Sequence, residues 1–321
     1  METNRTQPKF LLSRHAALMA SKAELRTLHR RGELTRLCSG VYIATAVWKS
    51  LKYDNPYRYR VMAAAQKLSR STQFSHDSAA VMWGLPSLGP WSGAVHALAP
   101  QASGGRSATV LKRHCVGEEE GNWQIDGLRV TSLARTLVDV SCTSSFLRAV
   151  AMVDAGLRDT NSDNVRHALG LSSPTKAELL AILDSLLPRG GSAKARNAIA
   201  FGDGHSQSVL ESLSRGQFHL LGLPAPELQV PFYDDEGFIG NVDFYWRELD
   251  LIGEADGDFK YNGVASPSGL PSIEVVKAEK AREDRLRRVV TGFERWDWDV
   301  ARNRERLAAR LRRHGLVSAR G

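Results

Sequence analysis

Four carboxylates and a lysine in the last third of the chain have the spacing of a metal-assisted site. Glu211 falls on a segment of helical period, Ser206 to Leu221. Asp243 lies on an extended run, Phe238 to Trp246, and Glu254 lies near the end of another, Leu249 to Ala255. A tight turn around Arg247 and Glu248 brings Asp243 and Glu254 side by side, and Glu254 and Asp256, two apart on a strand, project to one face. Such oxygens suit a hard cation, Mg2+ or Mn2+, with Asp243, Glu254 and Glu211 as its ligands. Lys260 could then offset charge on an attacking water or a phosphate, and phosphodiester cleavage is the chemistry that follows. Each group also has a plainer reading. Glu211 and Arg215 could be a helix-surface ion pair, Asp243 a satisfied buried acceptor, Asp256-Gly257 a turn and Lys260 solvated.

A second constellation sits near the N-terminus. Ser21 and Glu24 form an S-x-x-E capping box at the start of a short helix that ends at Gly32. Leu25 and Leu28 face inward, while Lys22, Arg26 and Arg30 recur every four residues on the outer face. Leu34 to Leu37, a Cys38-Ser39-Gly40 turn and Val41 to Ile43 follow as a hairpin with Arg36 near its tip. A preceding helix through Leu11, Leu12, Ala16, Ala17 and Met19 would complete a winged helix-turn-helix. In that geometry Ser21, Lys22, Arg26, Arg30 and Arg36 are the candidate DNA-binding residues, since a major groove about 12 Å wide admits one helix. Capping alone also accounts for Ser21, and a solvated face for the three basic residues.

These elements belong to a chain of 321 residues, 42% hydrophobic and 24% charged, long enough for two or three packed domains and too apolar for global disorder. The net charge of +8 is unevenly spread. Residues 1–70 hold 14 Lys/Arg against 4 Asp/Glu, a balance of +10; residues 276–321 hold 14 against 7, or +7; the middle is −9. Basicity at both ends suggests a polyanionic partner. Three scattered cysteines form no disulfide framework or zinc motif, and no apolar run reaches the roughly 18 residues of a membrane span, so a soluble cytoplasmic protein is expected. His76, His96 and His114 show no ligand spacing and read as structural or surface residues, with His76, in the polar helix start Ser75 to Ser78, the candidate exception. The C-terminal order α-β-β-β-α-β-α, with no G-x-G-x-x-G or G-K-[ST] loop, differs from a doubly wound nucleotide binder.

Three stretches, R-R-G-E-L-T-R-L-C-S-G-V-Y (Arg30 to Tyr42), S-H-D-S-A-A-V-M-W-G-L-P (Ser75 to Pro86) and V-T-S-L-A-R-T-L-V-D (Val130 to Asp139), resemble AbiEi-type antitoxins of type IV toxin–antitoxin systems. The resemblance implies a regulator whose winged helix binds double-stranded DNA at its own promoter, with a toxin or toxin-gene partner. V-L-E-S-L-S-R (Val209 to Arg215), N-V-D-F-Y-W (Asn241 to Trp246), G-E-A-D-G-D-F-K-Y (Gly253 to Tyr261) and E-K-A-R-E-D-R-L (Glu279 to Leu286) resemble the very-short-patch-repair-endonuclease-like branch of the PD-(D/E)xK superfamily. That resemblance implies a restriction-endonuclease-like core in which Asp243 and Glu254 match the metal-binding acids and Glu211 the helix acid. The usual lysine two residues after the second acid is Asp256 here, so Lys260 would have to replace it. The expectation is an α+β multidomain protein: a winged helix over 1–50, an AbiEi-like α+β domain over 51–160, a helical bridge over 161–204 and a restriction-endonuclease-like domain over 205–321. Its function is expected to be DNA-binding transcriptional regulation with an appended nuclease-like domain, or alternatively Mg2+-dependent DNA cleavage targeted by the N-terminal domain.

Overall fold

The computed structural model describes residues 10–12, 21–51, 56–99, 111–117, 119–121, 123–159, 165–257 and 273–318. It is an α+β protein that divides into two compact units, one of residues 1–144 and 159–200, the other of 145–158 and 201–321. No helix among the described residues is long and apolar enough to cross a membrane.

The first unit opens with strand β1 (Leu11–Leu12), helix α1 (Lys22–Arg30) and strands β2 (Leu34–Cys38) and β3 (Val41–Ala44), which form an antiparallel sheet in the order β1-β3-β2. Leu11 and Leu12 were expected in a helix, and this is corrected: they pair with Tyr42 and Val41. The physical reason is the open edge of β3, whose backbone groups β1 satisfies while Leu11 packs on Leu25, Leu34 and Tyr42. Ala16, Ala17 and Met19 lie outside the described residues. The capping box is present, with Ser21 Oγ accepting from Glu24 N at 3.1 Å and Glu24 Oε2 from Ser21 N at 3.3 Å. Helices α2 (Thr45–Ser50), α3 (Pro56–Ala65) and α4 (His76–Met82) follow. Next come the parallel pair β4 (Val95–Leu98) and β5 (Leu111–His114) and the hairpin β6 (Trp123–Ile125) and β7 (Leu128–Val130). Helix α5 (Leu133–Thr143) is amphipathic and capped by Ser132, whose side chain accepts from Arg135 N. Within it the fully buried Asp139 takes ion pairs from Arg135 at 3.0 Å and Arg189 at 2.7 Å.

Helix α6 (Phe146–Leu157) is grouped with the second unit. Helices α7 (Val165–Ala168), α8 (Lys176–Ser185) and nearly all of α9 (Ser192–Phe201) are grouped with the first. The second unit continues with α10 (Val209–Leu220), β8 (Glu227–Asp234), β9 (Gly237–Trp246), a 3-10 turn at Arg247–Leu249, β10 (Leu251–Ala255), α11 (Ile273–Val289), β11 (Gly292–Trp296), α12 (Trp298–Arg302) and α13 (Arg304–Arg312). The last helical stretch is two helices, because Asn303 leaves the helical region and caps α13 by accepting from Arg306 N at 3.0 Å.

The four strands order as β11-β10-β9-β8, antiparallel except for the parallel pair β10–β11, which α11 bridges as a crossover. Both faces of the sheet are covered. One packs Ile239, Val242, Tyr245, Ile252 and Phe293 against Leu286 of α11. On the other, Phe218 of α10 meets Phe244, Trp246 and Trp296 edge-on at 5.2 to 5.8 Å, and Trp296 Nε1 donates to Ser214 Oγ at 2.8 Å. Gly253 of β10 has room for no side chain, since a Cβ there would fall 2.6 Å from Trp296 and 2.9 Å from Trp246. Helix α6 is tied to α10 by Arg215 and Asp154, paired at 2.7 Å with the carboxylate fully buried.

Candidate functional site

The sheet of the second unit and the first turn of α10 gather Glu211, Asp243 and Glu254 on one cavity of about 890 Å³, which Asp256, Arg282 and Arg295 also line. The placement follows from local sequence. The 3-10 turn closes β9 onto β10 with Phe244 opposite Gly253, so that Asp243 and Glu254 are the next residues outward on the two strands, and Ala255 N reaches the Asp243 carboxylate. Ser208 caps α10 and sets Glu211 in its first turn, buried and with its amide on Ser208 Oγ at 3.1 Å. Asp256 lies just past β10, its amide donating to Trp296 O at 2.8 Å and its carboxylate 3.8 Å from Arg295. Lys260 lies outside the described residues.

Gln229 joins two of the acids: its Nε2 donates to Glu211 Oε2 at 3.1 Å and to Asp243 Oδ1 at 3.2 Å. Its backbone takes a left-handed φ of 52°, a conformation unusual for a side chain of this kind, on a strand that contributes a partner to the site. Backbone amides add two more bonds, each at 2.8 Å: Gln207 N donates to the same Glu211 Oε2, and Ala255 N to Asp243 Oδ2. Glu254 Oε1 accepts from Arg282 at 3.0 Å, and the same guanidinium group donates to Asn241 O at 2.8 Å. Arg295 is engaged by Glu279 at 2.6 Å and Glu283 at 3.3 Å.

Electrostatically the acids strain against one another. Burial, then the neighbouring Asp243 charge, pushes the Glu211 carboxyl up to about 7. The same two causes in the same order bring Glu254 to about 7, against the pull of Arg282. Burial raises Asp243 as well, opposed by the Ala255 amide and Gln229. Buried carboxylates that repel one another in this way favour the approach of a cation. The alternative helix-surface pair of Glu211 with Arg215 does not form: Arg215 turns to Asp154 and to Phe201 O. Asp243 is both a satisfied acceptor and a member of the acid cluster.

In the first unit, Lys22, Arg26, Arg30 and Arg36 line a groove of about 680 Å³ between α1 and the β2–β3 hairpin, together with Ser39 and Tyr42. None of the four forms an ion pair among the described residues. Arg30 donates to Thr27 Oγ1 at 3.1 Å, and His29 Nδ1 lies 2.9 Å from Leu34 O, where it fastens the helix end to the hairpin. Ser21 stands at the head of the helix as its cap.

No family model matches the chain. Two uncharacterized proteins of Mycobacterium tuberculosis, from strains CDC 1551 and H37Rv, are each 30% identical to it over 191 residues. The match covers 60% of this chain and 63% of each relative. Their names assign no activity.

Sequence reasoning missed Gln229, Arg282 and the meeting of three histidines. Gln229 offered no signal beyond its place on an extended run two residues after Glu227. Arg282 stood in the E-K-A-R-E-D-R-L stretch but had no reason to be directed at Glu254 until α11 packed across the sheet. His76, His96 and His114 read as structural or surface residues, with His76 the candidate exception; one ring nitrogen from each lies within 4.8 Å of the other two.

Proposed function

We propose that the protein binds double-stranded DNA through α1 and the β2–β3 hairpin, and hydrolyses phosphodiester bonds at a divalent-cation site made by Glu211, Asp243 and Glu254. The observation that carries the hydrolytic part is the convergence of these three carboxylates, from a helix and two strands, on one cavity in which burial and mutual repulsion hold two of them near 7. The donor set fits a hard cation: all-oxygen, anionic and held on regular elements. Mg2+ or Mn2+ bound there would supply Lewis-acid stabilisation of the charge that develops on phosphate. Gln229 holds two of the acids in place, and Arg282 and Arg295, each paired with carboxylates, line the wall where a phosphate would lie. The sheet β1-β3-β2 with α1 packed on it supports a winged-helix reading of the N-terminal region, and the order α10-β8-β9-β10-α11-β11 supports a restriction-endonuclease-like reading of the second unit.

A specific observation favours a second reading. Asp256 stands where the resembled nucleases carry lysine, and Arg282 already neutralises Glu254. On that reading the protein is a regulator of the AbiEi antitoxin type that binds its own promoter, and the acid-lined unit adds DNA affinity or contacts a toxin or its gene. Incubation of duplex and single-stranded DNA with the full chain and Mg2+ or Mn2+, beside Asp243→Ala, decides between them. Cleavage by the wild type alone supports hydrolysis. No cleavage by either protein, or equal cleavage by both, overturns the hydrolytic reading.

A further inference from the structure

The first unit carries a second group of ligating side chains, of different chemistry. His76 opens α4, 1% exposed and with a left-handed φ of 51°. His96 is the second residue of β4 and His114 the last of β5. Parallel pairing sets His96 opposite Lys112 and His114 opposite Leu98, so the two histidines share one face of the pair. The amide of Ser75 donates to His96 O at 3.1 Å and that of His96 to Ser78 Oγ at 2.8 Å, which fixes the start of α4 against β4. His96 Nδ1 and His114 Nε2 come within 2.9 Å of each other.

We infer that His76, His96 and His114 form a three-imidazole site for a borderline divalent cation of the zinc class. Imidazole nitrogens select zinc, copper or nickel, whereas Mg2+ prefers oxygen, so this site and the carboxylate cluster call for different ions.

The outer contacts are those of ligating histidines. Ser75 Oγ meets His76 Nδ1 at 2.9 Å and Ser92 Oγ meets His96 Nε2 at 2.8 Å, so each ring is held at one nitrogen and presents the other. Asp139 Oδ2, wholly buried and without a hydrogen-bond partner, lies 3.8 Å from the same His76 Nδ1, where a small approach would exchange the serine contact for a carboxylate–histidine pair. Three contacts have to yield. Arg189 reaches His76 Nε2 at 3.4 Å through one nitrogen while its other nitrogen keeps the ion pair with Asp139. Tetrahedral coordination at roughly 2.0–2.1 Å sets ligand nitrogens about 3.3 Å apart. The 2.9 Å pair must therefore open slightly, and His114, stacked on His76 at 3.6 Å between ring centres, must turn its lone pair toward the ion.

The test uses the full chain after chelation, titrated with Co2+ and followed by visible absorption. One equivalent should give the intense bands of tetrahedral nitrogen coordination, retained in Asp243→Ala and lost in His114→Gln. His114 is half-buried, and an unchanged metal-free melting temperature for His114→Gln shows that loss of the bands is not loss of the fold. X-ray absorption of the wild-type zinc adduct is the second measurement and needs no variant. Three nitrogen neighbours with imidazole scattering support the site. A thiolate or all-oxygen shell, no bands in the wild type, or bands that persist in His114→Gln, overturn it.

Discussion

The groove between α1 and the hairpin makes a quantitative prediction about salt. Four cationic side chains, Lys22, Arg26, Arg30 and Arg36, line it without carboxylate partners among the described residues. If each neutralises one phosphate, counterion release gives log K against log salt a slope of about −3.6 from this groove, at roughly −0.9 per phosphate. Raising salt from about 50 to 200 mM then weakens binding about 150-fold. Arg26→Ala removes one exposed contact from the middle of α1 while leaving the cap and Leu25 untouched, so the slope should fall by about 0.9 and the same salt change should cost about 40-fold. Fluorescence anisotropy on a labelled duplex from the upstream region, with a shuffled duplex beside it, measures both quantities. Because any phosphate contacts elsewhere on the chain are common to both proteins, the difference between the two slopes is the informative number. Identical slopes for wild type and Arg26→Ala would refute the assignment of this groove to DNA, and equal affinity for the two duplexes would refute sequence reading by α1.

Three further outcomes follow from the second unit. Glu211 and Glu254 hold protons up to about 7 in the folded protein and only to about 4.5 when unfolded; stability therefore declines as pH rises from about 4.5 to 7. Mg2+ or Mn2+ should offset that decline and raise the melting temperature more at pH 8 than at pH 5.5, and a shift independent of pH in differential scanning fluorimetry would count against cation binding by these acids. Asp154→Ala leaves the Arg215 guanidinium buried without its partner and should cost about 3–5 kcal/mol in a denaturant titration; a loss under about 1 kcal/mol would show that the pair is dispensable. Gly253→Ala forces a methyl group against Trp296 and Trp246 and should cost about 1–3 kcal/mol, and wild-type stability would mean that the two indoles can separate.

What the sequence disclosed was whatever depends on near neighbours. Ser21 and Glu24 lie three apart and announce their capping box; Arg247 to Leu249 mark the turn that sets Asp243 beside Glu254; the alternation of strands and helices after residue 205 gives the order observed as far as β11. What escaped depends on partners far along the chain. Leu11 and Leu12 have side chains equally at home in a helix, and only β3, some thirty residues later, makes them a strand. His76 meets His96 and His114 through strand pairing that no ligand motif records, and Arg282 reaches Glu254 across 28 residues once α11 lies on the sheet. Asn303 was the converse case, a local cap inside a longer stretch of helical period, and there the local signal outweighed the period.

Helix α6 and its partner α10 are made at different moments. The carboxylate of Asp154 and the guanidinium of Arg215 stand 61 residues apart in the chain. At about 5–20 residues per second of synthesis, α6 leaves the ribosome about 3–12 seconds before its partner exists. For that interval a helix whose Ala149, Val150, Met152 and Val153 end up buried has no α10 to cover it. A chain begun at residue 205 would never supply it at all: Arg215 would lack its counter-ion, and the surface at Gly216 would lack Leu147. The second unit is thus assembled from two instalments of the message, and the first must wait for the second.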